Sequence, residues 1–273
     1  MQKIELCAFA DEADSQLLGQ IAALKRNNIK NLEIRGMNGK NIAEITVPEI
    51  REIKKQLDDS GIKVWAIGSP TGKSEITSPF VSCLDEFSHI LELADILNAS
   101  HYRMFSFLGT NGDVAYKDEV LERLSRILEK SKGSGIVLCH ENEKDIYGDT
   151  AKRCQEIHSA IPEIKAVFDP ANFIQCNESS KDAWEMLKPY IEYLHIKDAL
   201  ADGTVVPAGE GIGAIPEIAK EYSGKIATIE PHLHIFDGLA NLENGKMTQP
   251  KNSYPTAEVA FDTAVESFKA IIR

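Results

Sequence analysis

The sequence predicts an α/β chain folded as a single closed (β/α)8 barrel, and three observations predict it. Short apolar runs rich in β-branched residues alternate with longer amphipathic stretches from end to end, the pattern of repeated βα units around a parallel sheet. Eight such runs fit into 273 residues, close to the roughly 250 residues usual for one barrel domain. No GxGxxG follows the first run, which weakens the alternative of an open, doubly wound dinucleotide fold.

Taken in order, strands are expected near Ile4 to Phe9, Asn31 to Ile34, Lys63 to Ile67, Tyr102 to Phe105, Ile136 to Cys139, Ala166 to Phe168, Tyr193 to Ile196 and Lys225 to Ile229. Helices fill the intervals. One runs from Val47 to Ser60: Thr46 and Glu49 have capping-box spacing, Pro48 suits a first turn, Ile50, Ile53 and Leu57 share a face, and Gly61 supplies the stop. Ser78-Pro79 starts another, with Phe87, Ile90, Leu91, Ala94 and Leu97 on its apolar face. No flexible linker or low-complexity stretch divides the chain, so residues 1–273 read as one domain. The rhythm breaks between Pro231 and about Tyr254, where Gly238, Gly245, Pro250 and several Asn residues follow no helical period. A connection that long predicts a loop or lid over the barrel mouth across residues 231–255, with Leu233, Phe236 and Leu239 as packing candidates.

Hydrophobic residues at 43% and charged residues at 26% are ordinary soluble-globular usage and supply a sizeable core. A net charge of −12 repels a polyphosphate backbone and disfavours nucleic acid as a partner, although a bound metal can invert the sign inside a cleft. Cys7, Cys83, Cys139, Cys154 and Cys176 show no CxxC spacing and are expected as reduced, mostly buried thiols. Asp11 and Glu12 interrupt the start before a signal-like core develops, and no run reaches membrane-spanning length. The expectation is a cytoplasmic protein without a membrane partner; a homo-oligomer is compatible with it.

In a closed parallel barrel the carboxyl ends of the strands and the loops after them build the active face. That filter leaves Glu141, Asp169, His195 and Glu230 in the second half, each about one βα unit from the next and therefore on neighbouring strands. Three carboxylates and an imidazole then converge, which is costly unless a cation compensates, so a divalent ion is the expected occupant. Mixed oxygen and nitrogen ligands suit Mn²⁺, Mg²⁺, Co²⁺ or Zn²⁺. Each residue also has an ordinary reading: Asp169 before Pro170 can cap a turn, His195 can be a satisfied core histidine, and Glu230 before Pro231 can be merely exposed. Four such accidents in register are less expected than one site.

At these residues the chain resembles the xylose-isomerase-like TIM barrel superfamily of sugar and sugar-phosphate isomerases and epimerases. The resemblance covers nearly the whole chain. It rests on Leu32-Glu33-Ile34-Arg35, Ile67-Gly68-Ser69-Pro70-Thr71-Gly72-Lys73, Arg103-Met104-Phe105-Ser106-Phe107 and His140-Glu141-Asn142-Glu143 with Tyr147-Gly148-Asp149-Thr150. It continues through Phe168-Asp169-Pro170-Ala171-Asn172-Phe173, His195-Ile196-Lys197-Asp198 and Ile229-Glu230-Pro231-His232. The resemblance implies a divalent metal held by Glu141, Asp169, His195 and Glu230. One departure is Asn172, which stands where several sugar epimerases carry a His three residues after the strand-six Asp.

With a ketose or aldose as the small-molecule substrate, a carbonyl and its neighbouring hydroxyl on the metal favour an enediolate, and Glu141 and Glu230 are expected to exchange the proton as base and acid. Lys197 and Arg103 are expected on substrate oxygens, or else paired with Asp198, Glu33 or another acid. Asn172 can donate to a sugar hydroxyl. Lys73 contacts a hydroxyl or phosphate, or is a solvated loop residue. Glu33 and Arg35 lie two apart on one strand face, so Glu33 is either a contact of the site or a partner of Arg35. His232 and His234 follow strand eight, where either can shuttle a proton or belong to the lid; His140 is expected to point away from Glu141. Two other readings stand beside this one. An endonuclease IV-like phosphodiesterase needs a multi-metal cluster with more His ligands and a basic groove, whereas this chain has seven His and a net charge of −12. A non-catalytic sugar-binding barrel can lose ligands that are all present here.

Overall fold

The computed structural model describes residues 4–235 and 252–273. Eight parallel strands close into a barrel: β1 (Glu5–Ala8), β2 (Asn31–Ile34), β3 (Lys63–Gly68), β4 (His101–Met104), β5 (Val137–Glu141), β6 (Lys165–Phe168), β7 (Ile191–Ile196) and β8 (Ile226–Ile229). Each strand pairs with its chain neighbours, and β8 returns to β1 with Glu5 opposite Ile226. All eight lie within a residue or two of their expected places, and the closed barrel is the fold the alternation predicts.

The helices outside the barrel are α1 (Leu17–Arg26), α2 (Val47–Asp59), α3 (Phe80–Leu97), α4 (Lys117–Ser131), α5 (Ala151–Ala160), α6 (Pro170–Gln175), α7 (Ser180–Leu187), α8 (Ile215–Glu221) and α9 (Ala257–Ile272). In α2 the Glu49 carboxylate accepts from the Thr46 backbone N–H (2.8 Å) and hydroxyl (2.7 Å), so the predicted cap forms, and Ile50, Ile53 and Leu57 are buried. The main core lies between helices and strands.

A separate apolar cluster fills the barrel interior: Cys7, Cys139, Val167, Tyr193 and Ile226, with Trp65 and Val137 against it. Two residues beyond Cys139, Val167, Tyr193 and Ile226 stand the polar Glu141, Asp169, His195 and Thr228, at or next to the carboxyl ends of their strands. The barrel is thus apolar at its floor and polar at its mouth, a consequence of the two-residue period of a strand. All five cysteines are unpaired, four of them buried. No helix among the described residues is long and apolar enough to cross a membrane.

Candidate metal and catalytic site

Glu141, Asp169, His195 and Glu230 come together as the sequence predicts, all buried, with one ligand atom from each lying within 4.8 Å of the others. Their spacing follows from the strands: Cys139 and Glu141, Val167 and Asp169, Tyr193 and His195, and Thr228 and Glu230 are inward pairs two residues apart.

His195 is the hub. Its Nδ1 lies 2.9 Å from Glu141 Oε1 and 3.2 Å from Glu230 Oε2, and its Nε2 lies 3.2 Å from Glu33 Oε2. Burial alone would strip its proton, but Glu141 and Glu33, with Glu230, hold its pKa well above the usual histidine value. Glu33 is in turn fixed by the Tyr193 hydroxyl and the Thr228 hydroxyl, each donating at 2.8 Å. Despite burial, the His195 charge keeps the Glu33 pKa lowered. Glu33 therefore contacts the candidate quartet as a partner of His195, and the alternative pairing with Arg35 does not form.

Arg35 turns elsewhere. It grips Asp11 with two N–H groups (3.0 and 3.1 Å) and reaches Glu12 at 3.1 Å and Glu230 at 3.0 Å. Arg103 Nε lies 3.1 Å from Glu141 Oε2, and Arg103 Nη1 donates to the Ser69 carbonyl at 2.7 Å. Lys197 Nζ lies 2.8 Å from Asp169 Oδ2 and 3.4 Å from Glu230 Oε2. Neither Arg103 with Glu33 nor Lys197 with Asp198 is the ion pair formed. Burial opposes the charge of Glu230, yet Lys197 and His195 pull its pKa well below the carboxylate range. Asp169, more deeply enclosed, is pushed up to about 7 by burial against the opposing pull of Lys197.

The remaining expectations resolve individually. Asn172 donates from Nδ2 to the Asn142 carbonyl at 2.9 Å and lies 3.5 Å from Glu141 Oε1. Lys73 is only partly solvated: it pairs with Glu143 at 3.2 Å and lies 4.5 Å from the centre of the Phe105 ring. The buried His232 lies 3.5 Å from both Glu230 Oε1 and Glu12 Oε1, and its backbone N–H donates to Glu12 Oε2 at 2.6 Å. His234 is outside this group, with Nδ1 at 2.7 Å from the Ile235 carbonyl. His140 points away, as expected, with Nε2 on the Ser106 hydroxyl at 2.9 Å. Of the expected lid, Leu233 is buried, whereas Phe236 and Leu239 lie outside the described residues.

Asp11 and Glu12 were not foreseen as part of the site. They follow directly after β1, and the strand-end filter applied to the first half of the chain finds them. Burial raises the Glu12 pKa to about 8, partly countered by Arg35.

A divalent ion fits the quartet. The donors are three carboxylates and an imidazole, a set such ions accept. Among the described residues Asp169 Oδ2 is buried and accepts no hydrogen bond, with the Lys197 ammonium 2.8 Å away as an ion-pair partner. His195 presents Nδ1 to the carboxylates while Glu33 holds Nε2, the arrangement that orients a metal-binding histidine. The other cluster among the described residues, Glu12, Glu230 and His232, shares Glu230 and is spanned by Arg35. The cleft over the quartet has a cavity volume of about 20 Å³, room for one water or ion.

The sequence matches the family described as xylose isomerase-like TIM barrel over residues 21–243. No curated protein matches it. Solved structures share the fold at low identity. The probable 3-DHS dehydratase AsbF from Bacillus anthracis aligns at 17% identity and TM-score 0.73, over 100% of this chain and 99% of the other. The IOLI protein, solved with a bound zinc atom, aligns at 14% and 0.74, over 98% of each chain. D-psicose 3-epimerase from Clostridium cellulolyticum H10, solved with D-tagatose, aligns at 13% and 0.73, over 99% of this chain and 100% of the other.

Proposed function

The chain belongs to the xylose isomerase-like TIM barrel family, and from that premise we propose a divalent-metal-dependent isomerase or epimerase acting on a ketose, an aldose or a sugar phosphate. The observation that carries this reading is the buried quartet of Glu141, Asp169, His195 and Glu230 with convergent ligand atoms. Neighbours of the same fold that carry zinc, or are epimerases by name, support it.

In this reading the quartet holds the ion, which when bound polarises a substrate carbonyl and offsets the negative charge that develops on its oxygens. Glu230, kept ionised by Lys197 and His195, removes a proton from the carbon beside the carbonyl. Glu141 delivers a proton taken up from solvent, to the opposite face of that carbon in an epimerase or to the neighbouring carbon in an isomerase, and Glu230 releases the abstracted proton to solvent, so the pair resets each turnover. Arg103 and Lys197 donate to substrate oxygens from the wall of the cleft, and Asn172 offers an amide beside Glu141.

Metal analysis and a turnover panel test the proposal together. Protein supplied with Mn²⁺, Mg²⁺, Co²⁺ or Zn²⁺ is expected to retain one ion per chain, lost in Glu141→Ala and Asp169→Ala. Interconversion of C3 epimers identifies an epimerase, and aldose formation from a ketose identifies an isomerase. Full metal retention in both variants, or no turnover of any ketose, aldose or sugar phosphate by the loaded protein, overturns it.

A further inference from the structure

We infer that Lys197 is a resident competitor of the divalent ion: its ammonium sits on two of the carboxylate oxygens the ion needs, and loading the ion moves it off them to face the cleft. The inference deepens the proposed function by adding how loading of that site is regulated, and it rests on reading the quartet as a metal site. Its first support is how the carboxylate oxygens are shared out. Each of the three acids has one oxygen with a partner outside the quartet. Asp169 Oδ1 accepts from the Asn172 backbone N–H at 3.0 Å, Glu230 Oε1 lies 3.0 Å from Arg35 Nη1, and Glu141 Oε2 lies 3.1 Å from Arg103 Nε.

The oxygens left to meet an ion beside His195 Nδ1 are Asp169 Oδ2, Glu230 Oε2 and Glu141 Oε1. Lys197 Nζ stands on two of these three, 2.8 Å from Asp169 Oδ2 and 3.4 Å from Glu230 Oε2. Asp169 Oδ2 accepts no hydrogen bond among the described residues, so the attraction of charge rather than a directed bond holds the ammonium there.

The second support is space. The cavity of about 20 Å³ admits one ion, and an ion drawing on the same oxygens meets the ammonium at close range in a buried setting, where like charges repel strongly. The neighbouring arginines are anchored: Arg103 Nη1 donates to the Ser69 carbonyl at 2.7 Å, and Arg35 grips Asp11 with two N–H groups. Lys197 instead carries a point charge on a flexible four-carbon stem, so it is the cation that gives way. Its side chain already borders the cleft, where the displaced ammonium donates to a substrate oxygen. Occupancy of the quartet and availability of Lys197 are therefore linked, and the ion loads before the substrate.

The test measures Mn²⁺ binding to the full chain by calorimetry in wild type and in Lys197→Met, which nearly keeps the length of the side chain and removes its charge. Lys197→Met is expected to bind Mn²⁺ about ten-fold or more tighter, about 1.4 kcal/mol, and Lys197→Arg, which restores the cation, to fall within about three-fold of wild type. Lys197→Gln is expected to follow Lys197→Met, so the comparison survives if one neutral variant fails to fold. A residue that merely props up the ligands does the reverse and weakens Mn²⁺ binding when removed. Since loss of any nearby cation favours a divalent ion through charge alone, a second readout follows the ammonium itself. Labelling of Lys197 by acetic anhydride, scored by peptide mass spectrometry against the other lysines, is expected to rise several-fold when Mn²⁺ is added to wild type. Unchanged or weaker Mn²⁺ binding in the neutral variants, or labelling that Mn²⁺ leaves unchanged, overturns the inference while the metal site and the proposed function stand. Failure of wild type and variants alike to bind any ion overturns both. Tighter binding in Lys197→Met with Mn²⁺-dependent labelling, in a protein that turns over no sugar or sugar phosphate, sustains the inference and sinks the function.

Discussion

Asp169 divides its two carboxylate oxygens between two tasks. Oδ1 accepts from the Asn172 backbone N–H at 3.0 Å and caps α6, while Oδ2 faces the quartet. The sequence posed cap and ligand as alternatives, and in the structure one side chain has the geometry for both. Asn142 fixes that residue by clamping the Asp169 backbone, donating to its carbonyl and accepting from its N–H at 2.9 Å each. Asn142→Ala is therefore expected to destabilise the fold by about 2–3 kcal/mol, because two buried backbone groups lose their partners. An unchanged urea midpoint and slope would contradict this. Glu33 was legible only as one of two options, because strand spacing gives the face of a side chain and not its partner across the barrel. Its hold on His195 Nε2 leads to a second expectation. Glu33→Gln should weaken Mn²⁺ binding about 10–100-fold by calorimetry while the fold persists, and undiminished affinity would remove Glu33 from the site. Asp11 and Glu12 read in the sequence as charges that interrupt the N-terminal apolar run, and nothing in that pattern shows that Arg35, from another strand, gathers them to the barrel mouth.

At the scale of elements, the barrel strands were legible because short β-branched runs recur between longer amphipathic ones. The two-residue hairpin strands, Gly36–Met37 with Lys40–Asn41 and Asp198–Ala199 with Val205–Val206, were not, since so short a pairing shows no period. Strand geometry also explains why Lys197 and Asp198 do not pair. Consecutive residues face opposite sides, so Lys197 enters the barrel while Asp198 turns into the loop beyond β7. There its carboxylate accepts from the backbone N–H groups of Ala199, Gly209, Gly211 and Gly213 at 2.8 to 3.1 Å. Gly211 and Gly213 leave space for it: a Cβ at either would stand 2.3 or 2.6 Å from Asp198 Oδ1. Asp198→Ala should cost about 2–3 kcal/mol in urea unfolding and speed amide exchange at the three glycines. Protection at wild-type level in the variant would mean that the loop is held by something else.

For the molecule as a whole, composition gives ordinary globular usage with net charge −12, but a sum over 273 residues hides where charged side chains gather, as they do around the quartet. Global stability has a pH dependence that a sum hides as well. His158 of α5 is buried with Nδ1 at 3.0 Å from the Ile164 carbonyl, and burial lowers its pKa from 6.5 to about 4. The unfolded chain takes up this proton first, so the contribution is full above pH 6.5 and is lost as pH falls toward 4, by about 3 kcal/mol in total. His158→Gln should flatten the decline in urea stability between pH 7 and pH 4; a slope identical to wild type would refute the assignment. The apolar plug of Cys7, Trp65, Cys139, Val167, Tyr193 and Ile226 has a kinetic consequence of its own. It seals the bore below the polar layer, so among the described residues the barrel opens at its polar mouth alone, and on the proposed reading product leaves by the route substrate enters. Product and substrate then contend for one corridor, and inhibition by accumulated product should be purely competitive.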